Sequence, residues 1–502
     1  MKRNMRLLGV LVLLGTCVSV AAQTENTAQE SFDEFRKKAE AEFSSFRDRS
    51  LTEYQAFRDS VNRAYADFLE QAWAEFKISP AIPKPKEREV TPIPMPKEER
   101  DKPFKDRPIK IEEVVPPILP TPQPVPIAPV PRIEEPTENW VTFTLYGTEM
   151  KVRFSEEEHF TLNGLDEKAI ADAWRLLSQP AYNNTLRDCL VLRMKHHLSD
   201  WAYLRALELV GKTCCGGTNE ATLLTAYLYC QSGYQMRLGM SRQSLYMLYA
   251  SDYAMYDQGC YTIGGTRFYI LGADSPSQMF ICEQAFPKEQ TLSLLVAQEQ
   301  DFTMDASAKR TLQSKNHPDV KCAVQVNKNL MAFYNDYPSS MVNDNFMTRW
   351  AMYANTPMQT SVKEQMYPAL RKHLEGKSQR EAISVLLDFV QLAFVYEYDE
   401  KVWGGDRAFF AEETLFYPYA DCEDRSILFS RLVRDLVGLK VVLVYYPRHL
   451  ATAVHFTENV QGDYLMVNGQ KFVICDPTYF YAGVGRTMTD MDNSTAKAIL
   501  LE

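Results

Sequence analysis

The sequence predicts an α+β fold, and three observations carry that expectation. Behind Cys422, apolar residues recur at Ile427, Leu428, Leu432, Val433, Leu436 and Val437, which is helical spacing, and Gly438 stands where such a helix stops. His449 then opens an extended run, and Asp476 closes another that starts after the hairpin signal Asn468-Gly469. Far upstream, residues 140–146 and 150–154 read as a hairpin around Gly147-Thr148.

Residues 1–22 read as a secretory signal peptide. Lys2, Arg3 and Arg6 precede an apolar run too short to span a bilayer, and Val20-Ala21-Ala22 offers a small-residue cleavage site. The chain is therefore expected to be exported, to a periplasm or a cell surface. Cys17 as a lipid-anchor site is the weaker alternative, because Thr16 precedes it. Losing the signal removes three positive charges and no negative one, so a net charge of −10 becomes −13. That acidity argues against a nucleic-acid partner.

Residues 28–77 carry an eleven-residue repeat. Its blocks are Phe32 with Phe35, Phe43 with Phe46, Tyr54 with Phe57 and Tyr65 with Phe68, and Phe76 opens a fifth. Arg36, Arg47 and Arg58 recur in step, and Gly and Pro are absent. Aromatics at this period share one face of a helix at about 3.67 residues per turn. One long amphipathic helix of about 75 Å is predicted, covered by self-association, by a partner helix or by a membrane surface. The following stretch, 78–139, holds 17 of the 27 prolines and reads as an extended, semi-rigid linker.

The globular part is expected from Trp140 as two lobes, 140–340 and 341–502. Residues 218–228 with Gly233-Tyr234 match 423–439 in apolar pattern, and 263–270 match 467–474, at an offset of 204 to 205 residues. On that offset Cys422 falls at Gly217, His449 at Ser244 and Asp476 at Gly272. The first lobe is therefore expected to be a non-catalytic, degenerate copy, although Cys215 lies close to Gly217.

Cys422, His449 and Asp476 are the candidate reacting groups. A thiol at a helix start faces unpaired N–H groups and the positive end of the helix dipole, which favour thiolate. Glu423 and Asp424 oppose that, so a thiolate paired with imidazolium is the expected working form. His455 is the rival histidine, but six residues along a strand set it about 20 Å from His449. His449 is preferred because it opens the run and shares its face with the small Ala451 and Ala453, whereas His455 borders the turn signal Thr457-Glu458-Asn459. Asp476 would accept the imidazole N–H and hold its tautomer. The Cys422 N–H is one candidate oxyanion donor; no second donor emerges. Trp403 is either a pocket wall or a surface tryptophan. Nine cysteines outside the signal, an odd number, leave one thiol unpaired in any monomeric disulfide scheme. No Cys-x-x-Cys pair occurs and His196-His197 is poorly spaced for ligation, so no metal or other cofactor is expected.

Taken together, Tyr396-Glu397-Tyr398-Asp399, Glu412-Glu413-Thr414-Leu415, Asp421-Cys422-Glu423-Asp424, His449-Leu450-Ala451-Thr452-Ala453-Val454 and Asp476-Pro477-Thr478-Tyr479 resemble the core of the transglutaminase-like superfamily. The resemblance spans about a fifth of the chain. It implies a papain-like core at the C-terminus, a Cys422-His449-Asp476 triad, and acyl transfer on protein or peptide amides. With water the protein would be a peptidase or amidase; with a lysine amine it would be a crosslinking transamidase. Two departures stand out: Asp421 replaces the family's glycine, and Ala451 replaces an aromatic. The rival reading is a non-catalytic binding or assembly protein of the cell envelope, with a retired thiol site and the aromatic helix as its working part.

Overall fold

Strand pairing in this chain repeats itself. The computed structural model describes residues 49–86, 91–100, 102–134, 139–155, 158–272 and 276–502, in a mixed α+β arrangement. The expected signal segment, Cys17 and the aromatic blocks from Phe32 to Phe46 lie outside the described residues. Residues 49–57 belong to one unit and are helical, with Tyr54 and Phe57 exposed. Arg58–Glu502 forms the other, compact unit.

Within that larger unit, 58–69 are helical, and β1 (Ala74–Lys77) follows. Two short strands, β2 (Arg107–Pro108) and β3 (Glu113–Val115), come from the proline-rich stretch. The hairpin of β4 (Trp140–Leu145) and β5 (Thr148–Arg153) forms as its pattern predicts. Helices α1 (Asp200–Cys215) and α2 (Asn219–Gln231) lead into β6 (Met236–Ser241), β7 (Ser244–Ala250), β8 (Tyr253–Met255), β9 (Cys260–Ile263), β10 (Thr266–Ile270) and β11 (Gln278–Ile281). Strands β12 (Arg310–Gln313) and β13 (Lys321–Val324) make a separate hairpin, and β14 (Ser340–Val342) pairs with β8. Helices α3 (Gln379–Ala393) and α4 (Cys422–Leu436) precede β15 (Lys440–Tyr446), β16 (His449–His455), β17 (Asp463–Val467), β18 (Gln470–Cys475) and β19 (Lys497–Leu500).

The first sheet runs β1-β11-β6-β7-β10-β9, and the second runs β3-β19-β15-β16-β18-β17-β2. Edge strands aside, both are one pattern: a helix, a hairpin, a second hairpin beside it, and a last strand returning to the far side. The register agrees as well. Ser241 pairs with Ser244 as Tyr446 pairs with His449, Ile270 with Leu248 as Ile474 with Ala453, and Thr266 with Ile263 as Gln470 with Val467. The boundary expected near residue 340 separates no two bodies, however. One core continues from Trp174, Tyr203 and Tyr227 through Trp350 and Leu386 to Leu428 and Val441.

Two other expectations are corrected. The aromatic helix does not reach residue 77: it ends by residue 70, and Phe76 lies in β1, antiparallel to β11. An open sheet edge there outcompetes helix propensity. The repeat's aromatics also divide between faces, for Tyr65 is buried against Trp174 and Phe286 while Phe68 is exposed. The buried face is Arg58, Asn62, Tyr65, Ala66 and Leu69, at i, i+4, i+7, i+8 and i+11. Asn62 pins it, exchanging hydrogen bonds of 3.0 and 2.8 Å with Gln231 and accepting from Trp174 Nε1 at 3.2 Å.

The proline-rich stretch is no free spacer either. β2 adds in parallel to β17 and β3 in parallel to β19, so this stretch lines both edges of the second sheet. Proline cannot donate to a central ladder but is tolerated on an edge strand, which is where Pro108 sits. Met95, Ile109 and Val115 are buried. At Gly233, φ is +97° and a Cβ would stand 2.2 Å from the Val125 carbonyl oxygen, so the stretch also presses on the first half where only glycine fits.

Candidate active site

Asp421 starts α4 as its N-cap, accepting the N–H groups of Glu423 and Asp424 at 3.1 and 3.2 Å. Asp424 closes the capping box by accepting the Asp421 N–H at 3.2 Å, and it accepts the Phe409 N–H at 3.0 Å. Asp421 thus caps the helix that bears the thiol. Cys422 is the first helical residue and is 3 % exposed.

α4 lies against β16. Ser426, one turn after Cys422, donates its hydroxyl to the Leu450 carbonyl at 2.8 Å. The helix that begins with Cys422 thus meets β16 beside His449, at the next residue, Leu450. His449 and Asp476 meet directly, Nε2 to Oδ2 at 2.9 Å, and each is 2 % exposed. The other carboxylate oxygen accepts the N–H groups of Thr478 and Tyr479, at 2.9 and 3.1 Å. An Asp-Pro-Thr turn supplies those donors because the two amides after the proline fold back over the side chain. Asp476 holds Nε2, so Nδ1 is the ring nitrogen left for a thiol. His455 is not part of this group: at the far end of β16, its Nδ1 lies 2.9 Å from the Lys471 carbonyl.

The first half shows where such a helix start points. The two helices end at the same 205-residue offset, at Gln231 and Leu436, while the first starts two residues later, at Asn219 rather than at Gly217, the position that corresponds to Cys422. Asn219 accepts the Leu245 N–H at 2.9 Å and donates to the Gln243 carbonyl at 3.3 Å, bracketing Ser244, the counterpart of His449. Gly217, Ser244 and Gly272, the counterparts of Cys422, His449 and Asp476, line one cavity. The shared topology thus brings these three positions to one place.

Charge around Cys422 is heavily managed. Burial, with Asp399 and Glu423 beside it, pushes the Asp424 carboxyl well above the usual carboxylate range, which favours its neutral form. Glu423 accepts from Trp350 Nε1 at 3.0 Å and lies 3.8 Å from Arg349, itself paired with Asp406 at 2.7 Å. The acidic first turn therefore opposes a thiolate less than its sequence implies. Asp399, Asp421 and Glu423 bring carboxylate oxygens within 4.8 Å of one another, an all-oxygen set of the kind a hard cation takes.

Two residues that sequence reasoning passed over tie the parts together. Arg425 is fully buried, and its guanidinium donates to the carbonyls of Ala420, Gln391 and Phe394 at 3.2, 2.9 and 3.1 Å, closing the end of α3. Burial brings its pKa down to about 10. Gln391 donates to the carbonyls of Asp476 and Ala482 at 2.9 and 3.0 Å and accepts the Tyr481 N–H at 3.1 Å. The end of α3 thus anchors both the thiol helix and the aspartate turn. An arginine on the apolar stripe of α4, in line with Leu428 and Leu432, was the available signal for the first; nothing in the sequence marked the second. Trp403 is half-buried, packed on Tyr417 and Phe409 with Arg407 over its ring at 4.4 Å.

No protein-family model, curated protein or solved structure matches the chain.

Proposed function

We propose that this protein is an exported, thiol-dependent acyl-transfer enzyme of the transglutaminase-like type, with a papain-like core in its second half and a degenerate copy of it in the first. The observation that carries the reading is the His449–Asp476 bond of 2.9 Å at the end of the strand that faces the Cys422 helix. In this reading His449 takes the Cys422 proton at Nδ1, and the imidazolium is stabilised by Asp476 at Nε2. The thiolate attacks an amide carbonyl of a protein or peptide, His449 returns the proton to the leaving amine, and a thioester remains. Water then gives hydrolysis; a lysine amine gives transamidation. The family resemblance tilts the balance toward hydrolysis.

A second reading is supported by the burial of all three side chains, none more than 3 % exposed. On that reading the site is retired and the protein binds or assembles at the cell envelope. The aromatic segment up to Phe57, where Tyr54 and Phe57 stand exposed, would then do the work through self-association, a partner helix or a membrane surface. Incubating wild-type and Cys422→Ala protein with a casein and a labelled amine separates the readings. Thiol-dependent peptide products indicate hydrolysis, and amine incorporation indicates transamidation. Identical results for wild type and variant leave only the binding protein.

A further inference from the structure

The half of the chain without reacting groups is the one that opens to solvent at the corresponding place. Thr218, Asn219, Gln243, Ser244 and Gly272 line a cavity of about 550 Å³, and a second of about 210 Å³ adjoins it across Gly217, Thr218, Thr222, Leu271 and Gly272. The larger lies within the span of about 300–1,000 Å³ usual for ligand sites. A Cβ at Gly217 would meet nothing within 4 Å, so this glycine leaves the floor open, while Gly272 meets the φ of +123° its backbone takes.

We propose that this cleft is a peptide-binding groove, which holds an extended, uncharged segment of a polypeptide. Its lining argues for that chemistry. The polar side chains are neutral amides and hydroxyls, namely Thr218, Asn219, Thr222, Gln243 and Ser244, while Leu245, Tyr246 and Leu271 supply apolar wall. Its charged groups stand at the rim: Glu220 accepts the Leu162 N–H at 2.9 Å, and Glu208 pairs with Lys212 at 2.6 Å. A lining of neutral donors and acceptors favours groups that both donate and accept hydrogen bonds, as peptide amides do. The groove also occupies the position that holds the triad in the second half. One architecture thus handles the same kind of polymer twice, once by binding and once by reaction.

The proposal rests on the reading of this chain as one that handles peptide amides. Its test removes the thiol so that the two readings fail separately. Full-length Cys422→Ala protein is titrated against fluorescein-labelled, dephosphorylated β-casein, read by anisotropy. Gly217→Trp and, separately, Thr222→Trp are added in that background; Gly217 has no positive φ, so its backbone accepts a side chain. The expected result is binding that weakens at least tenfold in both variants while the thermal midpoint holds. Should Gly217→Trp fail to fold, Thr222→Trp on the helix surface decides alone. Undiminished binding with the groove filled, or no binding of casein by the Cys422→Ala protein, overturns the proposal. Groove-dependent binding by a protein that never turns over amides keeps the groove and discards the enzyme.

Discussion

His449 is held by Asp476 through a single contact, Nε2 to Oδ2 at 2.9 Å, and the remaining carboxylate oxygen is spent on two backbone amides. The aspartate cannot swing away without losing both amides, so the imidazole is locked with Nδ1 directed elsewhere. Asp476→Asn keeps the shape and removes the charge that stabilises imidazolium. Turnover is expected to fall about 10²–10⁴-fold, with retained folding checked by circular dichroism. His449→Ala should abolish turnover and slow alkylation of Cys422, and His455→Ala should do neither. Loss of activity in the His455 variant alone would move the site to the other end of β16.

Thiol reactivity offers an independent check. Cys475 is fully buried, and burial, with Asp476 next to it, drives its pKa far up. Iodoacetamide at neutral pH should modify Cys422 at least about tenfold faster than Cys475, since the thiolate is the nucleophile. Peptide mapping after timed quenching gives both rates. Equal rates would remove Cys422 from the role of nucleophile.

The elements of the second half were legible because their patterns are local: helical spacing behind Cys422, a turn signal at Asn468-Gly469, and an extended run opened by His449. The Cys422, His449 and Asp476 positions rested on the same signals. What escaped detection depends on partners distant in sequence. Asn62 looks like any polar residue on an aromatic helix until Gln231 and Trp174 meet it. A proline-rich stretch reads as a spacer because its backbone cannot build a sheet alone, yet two sheet edges supply ready-made partners to it. Gln391 acts on backbone carbonyls, which leave no trace in side-chain patterns.

The edge strands make the proline-rich stretch structural. Val115 is 1 % exposed and sits in β3 beside β19. Val115→Asp places a carboxylate in that core and should cost about 2–5 kcal/mol, read as a lowered urea midpoint. A chain truncated to start at Trp140 loses both edge strands and the helix face carrying Tyr65. It should aggregate or unfold, and a stable, active fragment would show that the edges are dispensable.

Tyr65 and Phe68 test which aromatics the fold itself uses. Tyr65→Ala removes a ring packed 4.9 Å from Trp174 and 5.5 Å from Phe286, and should cost about 3–5 kcal/mol. Phe68→Ser, at an exposed position, should change stability by less than about 0.5 kcal/mol. Urea unfolding of both variants measures the contrast, and similar costs at both positions would put the helix in a different register on the core.

Glu412 gives the fold a pH signature. It is buried between the Gln359 N–H at 2.6 Å and the Tyr334 hydroxyl at 2.8 Å, and burial raises its pKa from 4.5 to about 7. Below the unfolded value both states are protonated, and its contribution to stability is fully present. Between pH 4.5 and about 7 the unfolded chain ionises first, so that contribution is lost as pH rises and is gone above the folded value. The shift corresponds to roughly 3 kcal/mol. Glu412→Gln preserves the volume and cannot ionise, so the variant should gain stability relative to wild type as pH increases from 4.5 to 8. Denaturant midpoints of the two proteins at matched pH values isolate this group from all others that titrate in both. A wild-type minus variant difference that stays flat across that range would mean that Glu412 is ionised in the fold, with a compensating cation close by.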